Sequence, residues 1–334
     1  YFNNRKQLVK LTLDYKSDTN NLDLGVPQGS VLGPLFFLIF INDMPDHLKN
    51  IMIKLFADDT TILLADNNVD NVIKLAKSAL LELVDWCLHN KLLINWDKTY
   101  FMIISNKRIK KFNNISINGN SIQITSNFKL LGVYIDDNLS FKYNVSMQCN
   151  SINRKLYAIK RLYFLPYTVK MQFFKSFILP YFDYCSSLIF YYNKKAIQKL
   201  CKMYYLCLNK LFRYKFPDMD SIEINNILKS NNLFSFTHRL IFRCFMFINR
   251  IISSQNGPAV LKNIMKKQLK TNNTYNLRTN GRTFVPCDRL RCRYGEKTFN
   301  YFTSKIINNL SFINFYENNN NYNKDLLLYL DTIY

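Results

Sequence analysis

The sequence predicts an α+β fold, with strands and hairpins in its first part and helices in most of the remainder. Apolar runs at 51–56 and 62–65 flank two adjacent acids, as expected for a hairpin whose turn is Asp58–Asp59. Apolar residues between positions 69 and 87 then recur at helical spacing. Helical patterns also dominate residues 141–255.

Length and charge indicate how the chain is organised. Its 334 residues exceed one ordinary domain, so we expect two or three units. Residues 1–140 hold 15 basic and 14 acidic side chains, whereas residues 141–334 hold 30 and 9. A basic half beside a nearly neutral half favours a protein that holds a polyanion next to its site.

Other global features narrow the class of protein. The eight cysteines form no Cys-x-x-Cys motif, which argues against structural zinc and favours reduced, intracellular thiols. The chain opens on Tyr1 in mid-pattern, and we expect a fragment that lacks its N-terminal part. The most apolar stretch, 35–41, is far shorter than the roughly 20 residues that span a bilayer. We therefore expect a buried helix there and no membrane partner.

The first predicted elements lead into an unusual loop. Residues 8–13 alternate partly and predict a strand. Residues 25–34 then hold three of the eight glycines and two of the eight prolines. One interpretation is a stiff loop that enters a helix, with Ser30 as a cap and Pro34 in the first turn. The other is a binding loop, because glycine lets a ligand approach the backbone and the Gln28 amide both donates and accepts.

The acidic pair Asp58–Asp59 also allows two interpretations. Aspartate favours turns for local reasons, so a solvated turn needs no function. Two carboxylates at the tip of a hairpin can instead hold a divalent cation, because Mg²⁺ takes oxygen ligands and retains several waters.

Several elements are predicted further along the chain. Residues 100–105 predict a strand, and residues 115–124 predict a hairpin around Asn118-Gly119. Residues 128–136 predict another strand with a bulge at Gly132. Basic and apolar residues alternate over 194–215, which predicts a helix with a basic face. Such a face is usually only solvated, but it can also follow the phosphates of a nucleic-acid duplex.

Two motifs together carry a family resemblance. Gly-Val-Pro-Gln-Gly-Ser-Val-Leu-Gly-Pro at 25–34, followed by Phe-Ala-Asp-Asp at 56–59, resembles the palm of a reverse transcriptase. Retroviral enzymes usually carry Tyr-x-Asp-Asp, whereas these forms are similar to non-LTR retrotransposons of the LINE type, in particular the jockey-like branch. The resemblance implies an incomplete palm at 1–140, an antiparallel sheet backed by helices. A helical thumb at 141–255 and a basic, partly flexible tail at 256–334 would follow.

The resemblance also implies a reaction, in which deoxynucleotides are added to a DNA 3′ end on an RNA template. Its partners are the RNA template, the DNA primer or target, and deoxynucleoside triphosphates, and its cofactors are two Mg²⁺ ions. The implied site residues are Asp58 and Asp59 for catalysis and metal binding; Pro27, Gln28, Gly29 and Lys98 for the nucleotide; and Leu131, Gly132, Lys195, Lys199, Lys202 and Arg213 for primer and template. Lys98, which follows Asn90-Lys91-Leu92, is otherwise a surface charge.

Part of the family pattern is missing. The first catalytic aspartate of the family lies in Phe-Asp-x-x-x-Ala-Phe, and no acid before Gly25 stands in that pattern. We therefore expect the 334 residues to be inactive alone. A nucleic-acid-binding remnant and a scaffold that keeps a palm fold are the alternatives. A nuclear or cytoplasmic location is expected, and 107–111 is either a nuclear signal or a basic hairpin loop.

Overall fold

The computed structural model describes residues 5–12, 15–22, 25–27, 29–49, 51–105, 114–160, 164–212, 221–253, 258–270 and 299–309. The chain divides into two compact units. Unit 1 comprises residues 1–103 and 109–125, and unit 2 comprises residues 104–108 and 126–334. The mixture of helices and small sheets agrees with the α+β class, although the second unit begins at 126 rather than after 140.

Most described strands belong to unit 1. They are β1 (Arg5–Gln7), β2 (Asn20–Leu22), β3 (Met52–Phe56), β4 (Asp59–Leu63), β5 (Tyr100–Phe101), β6 (Ile115–Ile117) and β7 (Asn120–Ile124). The helices of unit 1 are α1 (Gly33–Ile41), α2 (Met44–His47) and α3 (Val69–His89). Strands β1–β2, β3–β4 and β6–β7 pair antiparallel, and β5 runs parallel to β7.

The expected single antiparallel palm sheet is not what the described strands form. They make separate sheets of two or three strands, one of which includes the parallel β5–β7 pair. Two differences concern strand length: residues 8–12 and 15–16 form only the isolated bridge Lys10–Lys16, and the strand expected over 100–105 is limited to β5. Alternation of apolar residues shows which face of a strand is buried, but it does not show which other strand pairs with it. The described strands pair mostly with near neighbours in sequence, so small sheets form instead of the expected single sheet.

Helix α3 organises the core of unit 1, as its apolar spacing predicted. The Asn68 side chain caps it by accepting a hydrogen bond from the Asp70 backbone N–H at 2.9 Å. Its buried residues near the C-terminal end pack against α1, α2 and the inward face of the β3–β4 hairpin. The core side chains are Ile41, Met44, Leu48, Leu83, Trp86 and Cys87, with Ile53, Leu55 and Ile62 of the hairpin against them.

Helix α1 starts as predicted but is not buried. Pro34 lies in its first turn, and the Ser30 hydroxyl accepts a hydrogen bond from the Gly33 N–H at 3.1 Å. Leu35 and Leu38 are each 52% exposed and Ile39 is 64% exposed. The prediction of a buried helix is wrong because the described residues cover only the side that carries Ile41. None of the helices in the described segments is long and apolar enough to cross a membrane.

Unit 2 is mainly helical, as expected for residues 141–255. It begins with the hairpin β8 (Asn127–Leu130) and β9 (Val133–Asp136). The helices that follow are α4 (Lys142–Lys160), α5 (Tyr167–Phe173), α6 (Leu179–Asp183), α7 (Lys194–Phe212), α8 (Ser221–Ser230), α9 (Phe236–Ser253), α10 (Ala259–Lys270) and α11 (Phe299–Asn309). A π-helical turn, Phe174–Ile178, joins α5 to α6, and a 3-10 segment, Ser186–Tyr191, follows α6.

A large aromatic and aliphatic core holds these helices together. Tyr204 on α7 is fully buried, and its hydroxyl donates to the Phe234 carbonyl oxygen at 2.7 Å. The Tyr204 ring contacts Phe182 edge-on and lies near Phe236. Burial raises the pKa of the Cys207 thiol to about 12, which keeps it protonated and unreactive. The six described cysteines are free thiols.

A largely buried ion pair ties α6 to α9. Arg239 donates two hydrogen bonds to the Asp183 carboxylate, each at 2.6 Å, and Arg243 donates to the same carboxylate. The side chains of Arg239 and Asp183 are only 14% and 16% exposed. Few water molecules can therefore replace a lost partner.

We expect Asp183→Asn to destabilise unit 2 by roughly 3–5 kcal/mol, because it leaves the Arg239 guanidinium buried without its counter-charge. Urea unfolding of the 334-residue chain measures this change. In a cycle with Arg239→Gln, the double variant should lose less stability than the two single losses combined. Strictly additive losses would show that the two residues are not coupled.

Candidate functional site

The acidic pair lies at the tip of the β3–β4 hairpin. Phe56 pairs with Asp59, so the two-residue turn is Ala57–Asp58, and Asp59 is already the first residue of β4. The predicted turn at Asp58–Asp59 is therefore wrong by one residue. Ala57 adopts φ +50°, in the left-handed region, which lets the chain reverse so tightly.

Both carboxylates are accessible at this tip. Asp58 and Asp59 are exposed, and neither has a hydrogen-bond or ion-pair partner within the part of the chain that the structure describes. By its register, Asp59 shares the outer face of the hairpin with Phe56 and Lys54. Two free carboxylates suit a hard cation such as Mg²⁺, which takes oxygen ligands. Among the described residues, however, no group of three or more His, Cys, Asp or Glu could hold a metal.

The glycine-rich loop is tied down locally. Gly25 and Gly29 adopt φ of +80° and +82°, a region that other residues enter only with strain. The Pro27 carbonyl accepts a hydrogen bond from the Ser30 N–H at 3.3 Å, and Arg5 donates from its guanidinium to the Gly25 carbonyl. The contact from Arg5 had no signal in the sequence.

The predicted nucleotide residues are only partly placed by the structure. Pro27 and Gly29 are exposed, whereas Gln28 lies outside the described residues. Lys98 is exposed at the end of the 3-10 turn Trp96–Lys98. No hydrogen bond or ion pair among the described residues joins Pro27, Gly29 or Lys98 to Asp58 or Asp59.

The motif around Lys98 has a structural role at both ends. The Asn90 side chain donates to the Trp86 carbonyl at 3.0 Å, and the Leu92 N–H donates to the Cys87 carbonyl at 2.8 Å, which closes helix α3. The Asn95 side chain accepts from the Lys98 N–H at 3.2 Å. These contacts fix the backbone and leave the Lys98 ammonium free for solvent or a ligand.

The second predicted contact region, Leu131-Gly132, is a turn and not a bulge. Leu130 pairs with Val133, so Leu131 and Gly132 form the two-residue turn of the β8–β9 hairpin. Their φ values are +45° and +88°. A bulge would have continued the strand, but the pairing shows that the chain reverses here.

The described part of the chain contains three hairpins with two-residue turns, and the backbone strain of these turns differs. Asn118-Gly119, between β6 and β7, has the residue types that such turns favour. All three turns place a non-glycine residue at positive φ; asparagine tolerates this region, whereas it costs Ala57 and Leu131 about 1 kcal/mol or more. Strain of this kind is often found at functional sites. Two of the eight described non-glycine residues with positive φ, Ala57 and Leu131, lie in turns that carry predicted site residues.

We expect Leu131→Asn to raise the free energy of unfolding by about 1 kcal/mol, because the Asn-Gly pair fits the turn without strain. Asn118→Leu, the reverse change in the Asn118-Gly119 turn, should lower it by a similar amount. Urea unfolding of both variants measures these changes. Destabilisation by Leu131→Asn would show that the Leu131 side chain packs better than its backbone is strained.

The basic residues of α7 line a shallow depression of about 500 Å³ in unit 2. Lys195, Lys199 and Lys202 recur at helical spacing on one face, while Leu200, Tyr204 and Leu208 of α7 are buried in the core. Lys199 donates to the Ser146 hydroxyl of α4 at 3.0 Å. Arg213 lies outside the described residues.

The charge of this surface is not neutralised within its own helices. Helices α4, α7 and α9, the longest of unit 2, contain no aspartate or glutamate. The described acid that most closely precedes α7 in sequence is Asp183, and its carboxylate is already bound by Arg239 and Arg243. The lysines of α7 therefore present a positive field to solvent.

Comparison with known proteins assigns the first part of the chain. Residues 5–135 match the family model of the reverse transcriptase (RNA-dependent DNA polymerase). This segment is a reverse transcriptase domain. It contains both the glycine-rich loop and the β3–β4 hairpin, and it extends into the β8–β9 hairpin of unit 2.

The relatives of this domain are jockey-like. The RNA-directed DNA polymerase from the mobile element jockey of Drosophila melanogaster is 32% identical over 143 residues, which are 40% of this chain and 15% of that protein. The jockey protein of Drosophila funebris is 27% identical over 42% of this chain and 16% of its own length. A probable RNA-directed DNA polymerase from transposon BS of Drosophila melanogaster is 29% identical, with the same two coverages.

These matches identify residues 5–135 as a reverse transcriptase domain similar to those of non-LTR, jockey-like elements, as the two sequence motifs predicted. The chain spans about one sixth of the length of these relatives. No solved structure matched the chain.

Proposed function

We propose that the chain provides the catalytic acids and a duplex-binding surface of an RNA-directed DNA polymerase of a non-LTR retrotransposon. The observation that carries the proposal is the β3–β4 tip, where two exposed carboxylates without described partners lie at a strained turn of a reverse transcriptase domain. The substrates would be an RNA template, a DNA primer or target end, and deoxynucleoside triphosphates.

The residues at the tip fit divalent metal only in part. Asp58 and Asp59 supply oxygen ligands that are free to bind, and Mg²⁺ completes its shell with water and substrate oxygens. Two bound Mg²⁺ ions would activate the attacking oxygen and stabilise the leaving group. A third protein carboxylate usually completes such a site, and the described residues do not supply one. We therefore assign Asp58 and Asp59 as two of its ligands.

The remaining roles follow from where the residues lie. Pro27 and Gly29 expose the backbone of the glycine-rich loop, which suits contact with the incoming nucleotide. Lys98 offers a single free ammonium for a phosphate. The lysines of α7 suit the phosphates of a duplex, which position it without reading its sequence.

A nucleic-acid-binding remnant is the second candidate, favoured by the basic helices of unit 2. Both candidates require duplex binding, and only the polymerase requires primer extension. A scaffold that has kept the fold requires neither. A polymerase assay and a binding assay on the same protein therefore separate the three functions.

We expect the 334-residue chain to bind an RNA–DNA hybrid duplex without sequence preference, and its affinity to fall steeply as salt rises, because counterions are released on binding. Replacing Lys195, Lys199 and Lys202 by Gln should reduce the slope of log affinity against log salt by about 2 to 3. Fluorescence anisotropy across a salt series measures the slope.

The matched control removes the same charge from unit 1, by replacing the exposed Lys49, Lys74 and Lys77 with Gln. This control should leave the salt slope unchanged. Equal slopes for both triple variants would show that binding depends on net charge and not on the α7 face. Salt-independent binding by the wild type would remove the duplex-binding role.

A further inference from the structure

The β8–β9 hairpin is anchored to the helices of unit 2 along its strands. The buried Asp136 carboxylate accepts hydrogen bonds from the backbone N–H groups of Ser140 and Phe141, at 2.8 and 2.6 Å, just before α4. The Asn144 side chain of α4 accepts from the Tyr134 N–H at 3.0 Å. These contacts fix β9 but do not touch the turn.

The turn itself is held by one side chain. The Tyr184 hydroxyl donates a hydrogen bond to the Leu131 carbonyl, across 53 positions of sequence. A Cβ added to Gly132 would lie 3.3 Å from Cε1 of the Tyr184 ring, so the ring rests directly against that glycine. Among the described residues, Tyr184 makes the only hydrogen bond that reaches this turn from outside the hairpin.

Tyr184 itself has a rigid base. Its backbone N–H donates to the Pro180 carbonyl at 2.9 Å, and Cys185 after it adopts φ +49°. Its neighbour Asp183 is bound by Arg239 and Arg243. The Tyr184 side chain is nevertheless 59% exposed, so core packing does not explain its position.

We propose that Tyr184 is a positioning residue, which sets the Leu131–Gly132 turn in the shape that contacts the primer end. The inference rests on the proposed function, because it takes the turn as the primer contact that the resemblance to reverse transcriptases implies for Leu131 and Gly132. Tyr184 is far from the turn in sequence, but its hydroxyl contacts Leu131 and its ring contacts Gly132. Because Leu131 has a strained positive φ, we expect the turn to relax to another backbone conformation when the contacts from Tyr184 are removed.

The test uses the 334-residue chain and two RNA–DNA hybrids of equal length, one with a recessed DNA 3′ end and one with blunt ends. If the turn contacts the primer end, the wild type binds the recessed hybrid more tightly. Tyr184→Phe keeps the ring but removes the hydrogen bond, and we expect it to weaken binding of the recessed hybrid about fivefold. Its affinity for the blunt hybrid should remain that of the wild type.

Tyr181→Phe is the matched control, since Tyr181 lies on α6 just before Tyr184 and its hydroxyl has no described hydrogen bond. It should keep the preference for the recessed hybrid. A tyrosine that served only stability would lower the melting temperature and weaken both hybrids equally.

Each other outcome also decides the inference. An unchanged preference in Tyr184→Phe overturns it and leaves the proposed function intact. A wild type that binds both hybrids equally overturns it too, because the turn then does not contact a primer end. A wild type that binds neither hybrid contradicts the duplex-binding function itself and the inference that rests on it.

Discussion

Asparagine in place of Asp58 is expected to slow nucleotide addition by about 1,000-fold or more, while template–primer affinity stays within a few-fold. Asn keeps the shape of the side chain but removes the charge that would hold a cation at the transition state. The measurement is single-nucleotide incorporation with Mg²⁺. It uses a polypeptide extended at its amino end by a reverse transcriptase segment that contains the family's Phe-Asp-x-x-x-Ala-Phe pattern, here called the family segment.

Asp66→Asn provides the control for this change. Asp66 follows the same hairpin and is exposed, but its carboxylate accepts a hydrogen bond from the Asn68 N–H at 2.7 Å. Its replacement should leave incorporation unchanged. Near-normal turnover by Asp58→Asn, or an equal loss in Asp66→Asn, would remove Asp58 from the site.

The second large effect is an absence of activity. Residues 1–334 alone are expected to extend no primer, because Asp58 and Asp59 leave the proposed metal site short of a carboxylate among the described residues. Primer extension on an RNA template, followed over hours, measures this. Adding the family segment with its aspartate should restore synthesis, whereas adding the same segment with alanine at that position should not.

One result would contradict this prediction. Mg²⁺-dependent extension by residues 1–334, lost on Asp58→Ala, would mean that the third carboxylate lies within the chain. Asp14, Asp18 and Asp23 would then be the first candidates. Of these, Asp18 is exposed in the described region, and Asp14 and Asp23 lie outside it.

Sequence patterns located the hairpins β3–β4 and β6–β7 but predicted β8–β9 as one bulged strand. Asn118-Gly119 was predicted because those two residue types specify the turn by themselves. The apolar pattern could not decide between a turn at 57–58 and a turn at 58–59. Moving a two-residue turn by one position shifts the strand pairing by two residues. Ile53, Leu55 and Ile62 then face inward in either register, so alternation gives the same face for both.

Contacts between distant positions had no signal in the sequence. The pairs Asp183–Arg239 and Tyr184–Leu131 join residues 56 and 53 positions apart. The apolar composition of α1 predicted burial, but burial depends on which neighbours cover the helix, and composition does not contain that information. The family motifs, by contrast, identified the segment, because the loop and the acids had to occur together at the right spacing.

The central claim is that Asp58 ligates the catalytic metal, and a change of metal preference tests it most directly. Asp58→Cys, in the amino-extended polypeptide, replaces a hard oxygen ligand by a soft sulfur ligand. If Asp58 is a metal ligand, this variant is nearly inactive with Mg²⁺ and regains a substantial part of its incorporation rate when Mn²⁺ or Cd²⁺ is added, whereas the wild type prefers Mg²⁺. The same metal dependence in the variant and the wild type would contradict the assignment of Asp58 as a metal ligand.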